Sequence, residues 1–365
     1  GTVRDRIRSM SVDAEKAFVG TVALEGDERL DDTALTKWMQ DNVDGFEGPI
    51  DVRKFSGGQS NPTYKVHAKS GNYVLRRKPM GKLLPSAHAV DREFKVISGL
   101  HPTGYPVAKP FGLCEDDSVI GSMFYVMDMV EGRTIWNGAM PDSNPDERRG
   151  VYLEMVDVLA QLHESDVDAM GLSEFGKPGN YFGRQIGRWT KQYKLSETEH
   201  MEPMEKLIEW LPATMPEQTR TSVVHGDYRI DNAIFEKDGT KCLAVLDWEL
   251  STLGDPLADF TYVAMAWVTP NEGRSGVADL DRKALGIPEL EEVVERYCAA
   301  TGRDSVPDMN WYFAYNFFRL AGIIQGIKKR VIDGTAASAH AKNMSARVDP
   351  LAATAWEFAK KAGAE

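Results

Sequence analysis

The chain has 365 residues, enough for two lobes around a shared core, and its 42% hydrophobic and 27% charged residues are ordinary globular composition. A formal net charge of -12 argues against nucleic acid or an anionic membrane as main partner, because both are met by clustered Lys and Arg. Cys114, Cys242 and Cys298 lie far apart with no CxxC pair, so neither a zinc site nor a disulfide framework is expected, and a reducing cytoplasm fits.

The basic stretch Gly1 to Met10 runs into the charged residues Ser11 to Lys16 where a secretion signal needs an apolar core, so no leader is expected. Residues 1–30 carry few large apolar side chains and read as a loosely docked N-terminal arm. Residues 31–130 read as a small β-rich lobe. A helical pattern opens it at Asp31 to Met39, followed by strands at Val52 to Phe55, Thr63 to His67 and Tyr73 to Arg77. A helix from Ser86 to Leu100, with Pro85 and Ser86 as its start signal, and a strand from Met123 to Met129 complete the lobe.

Residues 131–365 read as a larger, mainly helical lobe. Glu147 to Glu164 carries Val151, Met155, Val158, Leu159 and Leu162 on one face. Two short apolar strands interrupt the helices, Ser222 to Val224 and Cys242 to Leu246, with Gly239 in a turn between them, and helix resumes from about Leu280. No apolar stretch approaches the roughly 20 residues of a membrane-spanning helix.

Between those two strands lies His225-Gly226-Asp227-Tyr228-Arg229-Ile230-Asp231-Asn232, and the second strand ends in Leu246-Asp247-Trp248-Glu249. Phosphoryl transfer from ATP needs a carboxylate to orient the attacking hydroxyl and accept its proton, and oxygen ligands for the magnesium on the phosphates. Asp227 is placed to be that base, with Asn232 five residues on and Asp247 twenty residues on as the metal ligands. Alone, each piece is a common turn or cap; the order and the flanking strands select the chemistry.

HGDYRIDN followed by LDWE and by Gly254-Asp255-Pro256-Leu257-Ala258-Asp259 resembles the aminoglycoside phosphotransferase and choline kinase type of small-molecule kinases, over roughly Lys54 to Asp259. The resemblance implies an α+β, two-lobed protein-kinase-like fold with ATP and Mg2+ in the cleft. It also implies that His225 braces the loop and that Asp259 holds its backbone. The glycine-rich segment Ser56, Gly57, Gly58, Gln59, Ser60 and Asn61 is the candidate phosphate loop, although a Gly-Gly hairpin turn is the plainer reading of that segment alone. Arg76 stands where such kinases place lysine, with Glu93 as its partner on the following helix; Arg77 and Lys78 are near alternatives, although strand alternation sends Arg77 to the opposite face, and the plain alternative is a solvated basic strand end before Pro79. Backbone at Met127 and Met129, in the link between lobes, is the candidate adenine contact.

Only residues 248–258 separate Asp247 from Asp259, leaving no room for a protein-kinase activation loop, so a small-molecule acceptor is expected. In the stretch Trp311 to Arg330, at about 100° per residue, Leu320, Ile323, Ile324 and Ile327 share an arc with Arg319 and Arg330 at its edge. These arginines either border a site for a carboxylate or polyphosphate acceptor or snorkel to solvent from a core helix. Asn316 to Arg330, Phe55 to Thr63 and Leu83 to His88 are similar to the kinase-like domain at the N-terminus of some acyl-CoA dehydrogenase proteins, which implies a hydroxyacyl-CoA acceptor. Aminoglycosides and amino alcohols stay open as acceptors. So do two readings without turnover: a nucleotide-binding module, suggested by Arg76, and an acyl-CoA-binding or partner-docking module.

Overall fold

The computed structural model describes residues 21–24, 29–55, 61–79, 89–336 and 338–365. Its first layer is an antiparallel sheet in the order β1-β2-β3-β4-β6-β5. The strands are β1 (Thr21–Ala23), β2 (Ile50–Phe55), β3 (Thr63–Ala68), β4 (Gly71–Arg77), β5 (Pro110–Cys114) and β6 (Phe124–Asp128). Helix α1 (Asp32–Asn42), capped by the Asp31 side chain on the Ala34 N–H at 3.0 Å, lies close to β2. Leu35 and Met39 of α1 join Val66, Leu75, Phe124 and Val126 in a small core. The N-terminal arm of the sequence reading is corrected in part: Thr21–Ala23 pairs with Arg53 to Phe55 as an edge strand, and Leu30 is buried. Residues 1–20 lie outside the described ones.

Helix α2 (Val90–Leu100) begins where its buried positions begin, with Val90, Glu93, Val96, Ile97 and Leu100 on one face. The start expected at Pro85 and Ser86 lies outside the described residues. Val90, Val96, Ile97 and Leu100 belong to the core of the helical lobe rather than to the small sheet core. The division at residue 130 therefore needs qualification, because α2 is wedged between the lobes and packs on both β6 and the larger core.

The helical lobe contains α3 (Pro145–His163), α4 (Tyr181–Leu195), α5 (Glu202–Ala213), α6 (Leu257–Ala264), α7 (Arg282–Leu285), α8 (Leu290–Thr301), α9 (Asn310–Ile332), α10 (Ala339–Ser345) and α11 (Val348–Lys361). Asn144 caps α3 on the Glu147 N–H at 2.9 Å, and Pro145 takes the first turn, where its missing N–H costs nothing. Helix α9 is the axis of the lobe and packs against α4, α6 and α11. Phe358 of α11 stacks on Phe317 at 5.6 Å and meets Phe313 edge-on at 5.2 Å, both from α9.

Four three- or four-residue strands carry the site: β7 (Ser222–Val224), β8 (Ala233–Phe235), β9 (Cys242–Val245) and β10 (Thr252–Gly254). The sequence shows the first and third with a turn at Gly239 between them; the structure adds β8, which forms a hairpin with β9, while β7 pairs with β10. Segments as short as β8 and β10 show no alternation to read, and only pairing defines them. Truncating Phe358 to Ala should cost about 3–5 kcal/mol by opening a cavity between α9 and α11. We expect a lower thermal midpoint by calorimetry with nucleotide binding per folded molecule unchanged, since the cleft is built from other elements.

Candidate active site

The loop between β7 and β8 is held from behind by one carboxylate. Asp259, in the first turn of α6 and 1% exposed, accepts the His225 N–H at 2.7 Å on Oδ2 and the Gly226 N–H at 2.9 Å on Oδ1. His163, at the end of α3, meets Oδ2 through Nε2 at 2.9 Å and places Nδ1 2.7 Å from the Tyr297 hydroxyl. Burial alone would raise the Asp259 carboxyl, but the hydrogen bond and charge of His163, with His225 and the Gly226 N–H, hold it below the usual carboxylate range. Gly226 has φ +91°, and a Cβ there would lie 2.7 Å from the Leu250 carbonyl oxygen, so glycine is required on both counts.

His225 fastens the loop to the strand end that carries Asp247. Its Nδ1 accepts the Asp227 N–H at 3.0 Å, so Nε2 bears the proton and donates to the Leu246 carbonyl at 2.7 Å. The ring also packs edge-on against Trp248 at 4.6 Å.

Asp227 points into the cleft. Tyr262 of α6 donates to its Oδ1 at 3.2 Å, and the Asn232 amide donates to its backbone oxygen at 2.8 Å and approaches Oδ2 at 3.3 Å. Arg229 lies 3.4 Å from Asp227 Oδ1 and 3.5 Å from Asp231 Oδ2. With Nδ2 committed to Asp227, Asn232 has its Oδ1 left as an oxygen ligand. Asp247, in the left-handed region at φ +59°, uses Oδ1 for Arg76 and has no partner on Oδ2 among the described residues. An amide oxygen and one carboxylate are hard ligands of the number magnesium takes when phosphates fill the remaining positions, so this donor set fits the metal.

Arg76 of β4 is 5% exposed and bridges the lobes. Its Nη1 donates to Asp247 Oδ1 at 3.0 Å, while Nε lies 3.0 Å from Glu93 Oε1 as an ion pair without an aligned N–H. Glu93 also accepts the Asn61 amide at 2.7 Å and the Tyr125 hydroxyl at 3.1 Å. Burial pushes the Glu93 carboxyl up, with Arg76 pulling against it. Asn61, expected among the phosphate-loop donors, is fully buried and turned to Glu93. Ser56, Gly57, Gly58, Gln59 and Ser60 lie outside the described residues. In the interlobe link the Met129 N–H is taken by the Asn72 carbonyl at 3.2 Å, and Met127 pairs with Val74 inside the sheet.

The two candidate acceptor arginines are not brought together. Arg319, 7% exposed, donates to the Gly226 carbonyl at 2.6 Å and lies between the Trp189 and Tyr262 rings, 5.3 Å from each centroid. Arg330 is exposed eleven residues further along α9, roughly 16 Å away at helical rise. A shared helical angle fixes the face of a helix but not the distance along it. The cation that does lie near Arg319 is Arg188 of α4, exposed, with its guanidinium 4.9 Å from the Trp189 ring. Although the side chain reaches the surface, the protein packed around its guanidinium and the charge of Arg319 lower the affinity of Arg188 for its proton. His163, Tyr262 and Arg188 had no signal in the sequence beyond helical phase, and Tyr125 had none beyond its place in strand β6.

A model described as the phosphotransferase enzyme family matches residues 51–307. The chain belongs to that family. It is 44% identical over 318 residues, 87% of its length, to acyl-CoA dehydrogenase family member 10 of Mus musculus, and 36% identical over 91% of its length to family member 11 of Homo sapiens. These alignments take up only 30% and 44% of the relatives' own lengths, so the chain spans less than half of either. A Ralstonia eutropha crystal structure, provisionally called an aminoglycoside phosphotransferase, superposes with a TM-score of 0.83 at 49% identity and covers 91% of this chain and 99% of that one. A spectinomycin phosphotransferase bound to ADP and spectinomycin shares the fold at a TM-score of 0.57 and 11% identity, covering 90% of this chain and 98% of that one. The two-lobed α+β kinase-like architecture is therefore that of the family. Among the described residues, no helix is long and apolar enough to cross a membrane.

The depressed Asp259 carboxyl sets the sign of a pH effect. Its contribution to stability is complete above its unfolded value of about 3.9 and is lost as pH falls through the lower folded value. In urea unfolding from about pH 5 down to pH 2, Asp259→Asn should be less stable than the parent at the upper end, and the gap should close towards the lower end. A constant gap would remove Asp259 from the acid response.

Proposed function

We propose that this phosphotransferase uses ATP and magnesium to phosphorylate a hydroxyl of a small molecule, with Asp227 as the base. The observation that carries the reading is the convergence on Asp227: Tyr262 and Asn232 fix its carboxylate, while Asn232 Oδ1 and Asp247 stand ready as metal ligands. Bound ATP and magnesium would supply the phosphoryl group and neutralise its charge. Asp227 orients the acceptor hydroxyl and takes its proton as the oxygen attacks. Tyr262 keeps Oδ1 in place, and His225 keeps the loop registered on the strand end bearing Asp247.

Support for a hydroxyacyl-CoA acceptor comes from the relatives, which are named acyl-CoA dehydrogenase family members, and from the cleft's cations. Arg188 and Arg319 flank Trp189, and neither has a carboxylate bonded to it among the described residues, an arrangement suited to an anionic acceptor. A polycationic aminoglycoside would meet repulsion there.

Incubation with ATP, Mg2+ and a panel of hydroxyacyl-CoAs, amino alcohols and aminoglycosides, read by mass for an added phosphate, tests both parts. Asp227→Asn should lower turnover by about 10²- to 10⁴-fold with ADP binding retained; parent-like turnover would remove Asp227 as base. Arg188→Glu should raise KM for an anionic acceptor by about tenfold or more while kcat changes little, in line with lost binding that is equal in ground and transition states. Preference for a cationic acceptor by the parent protein would reverse the acceptor assignment.

A further inference from the structure

The softest joint in the loop between β7 and β8 is the peptide that joins Gly226 to Asp227. Gly226 has no Cβ to restrict its ψ, so this peptide can turn about the axis between its two α-carbons. Such a turn resets φ of Asp227 and the direction in which its carboxylate leaves the backbone. Asp259 does not restrain it, because the two N–H groups it accepts, those of His225 and Gly226, belong to the two preceding peptides. Two side chains hold it instead. His225 Nδ1 accepts the Asp227 N–H at 3.0 Å, and Arg319 Nη2 donates to the Gly226 carbonyl at 2.6 Å.

Arg319 also reaches the carboxylate end of the same residue. Its guanidinium lies 5.3 Å from the centroids of both the Trp189 and Tyr262 rings, and the Tyr262 hydroxyl donates to Asp227 Oδ1 at 3.2 Å. The backbone and the side chain of Asp227 therefore both lead to one guanidinium, through a hydrogen bond to the preceding carbonyl and through a packed ring. Burial works against the Arg319 charge, while Tyr262, Tyr315 and Asp227 favour it.

We infer that Arg319 is a positioning residue for Asp227. It locks the peptide before the base and backs Tyr262, so the two cations beside Trp189 divide the work: exposed Arg188 meets the acceptor and buried Arg319 aims the base. This rests on the phosphotransferase reading above. Arginine suits the task because its planar group can lie between two rings and still direct an N–H, within its own plane, at a carbonyl. Lysine keeps the charge and a donor but has no plane to stack. The two tasks differ in their kinetic signature. A cation that only binds the acceptor acts equally in ground and transition states, so its loss appears in KM, whereas a misaimed base slows the chemical step and appears in kcat.

The test compares the parent protein with Arg319→Met, which removes the donor and keeps an apolar stem, and with Arg319→Lys, which keeps a cationic donor. Backbone hydrogen exchange over residues 222–235, read by mass and needing no acceptor, should be faster by about tenfold or more in Arg319→Met and closer to the parent in Arg319→Lys, with α3 and α11 unchanged. Steady-state kinetics with whichever panel acceptor the parent phosphorylates should show kcat of Arg319→Met lower by about 10- to 100-fold and KM for ATP and acceptor within about threefold, with Arg319→Lys in between. If the thermal midpoint shows Arg319→Met to be unfolded, Arg319→Gln, two bonds shorter than arginine and unable to reach the carbonyl, takes its place. Parent-like exchange in this segment, a loss confined to KM, or Arg319→Lys as slow as Arg319→Met overturns the role. A parent protein that phosphorylates no acceptor of the panel overturns the phosphotransferase reading instead, and the exchange measurement still decides whether Arg319 holds the loop.

Discussion

Everything in the catalytic lobe is arranged around a buried negative charge. Asp259 sits 1% exposed at the start of α6, where an unpaired carboxylate would be strongly unfavourable. It is stabilised by two backbone N–H groups of the catalytic loop and by His163. The loop conformation and the stabilisation of the charge are one requirement. With Gly226 in a left-handed conformation, both N–H groups point at the same carboxylate, and Asp227 emerges on the opposite side. The apolar walls, including Phe260 stacked on Tyr297 at 4.2 Å, raise the cost of leaving that charge unpaired, and so raise the selectivity for one loop conformation.

A second buried polar group performs the corresponding task between the lobes. Arg76, Glu93, Asn61, Tyr125 and Asp247 form a network in which the sheet, helix α2 and the strand end after β9 each contribute. Because α2 buries Val96, Ile97 and Leu100 in the larger core, Glu93 belongs mechanically to the helical lobe. Arg76, on the sheet, is the part that spans the gap.

What the sequence disclosed follows from the range of the forces involved. The loop that carries Asp227 and Asn232 could be delimited because it and Asp247 fall within one hairpin of each other, and the larger helices were legible from their apolar phase. The pairing of β7 with β10 was not, since three-residue strands are stabilised by neighbours that lie elsewhere in the chain. Arg319 was found on the correct face of α9 but given the wrong partner, because phase reveals orientation and not what lies opposite: here a backbone carbonyl and two rings. His163 ends a helix whose apolar face explains its burial without any need for Asp259, so its role became visible only with the fold.

The link between the lobes is secured at both ends. Met129 bonds to Asn72 on the sheet side, and Arg133 exchanges two hydrogen bonds with Phe235 on the other, 2.8 and 2.9 Å long, while a Cβ on Gly132 would fall 2.3 Å from the Phe235 carbonyl oxygen. Free dihedral adjustment is thus confined to Val130, Glu131 and Gly132. A pivot this short turns relative motion of the lobes into rotation about a nearly fixed axis, with little sliding. Points in the cleft farther from the link then travel proportionately farther, so the cleft's outer mouth opens by more than the end beside the link.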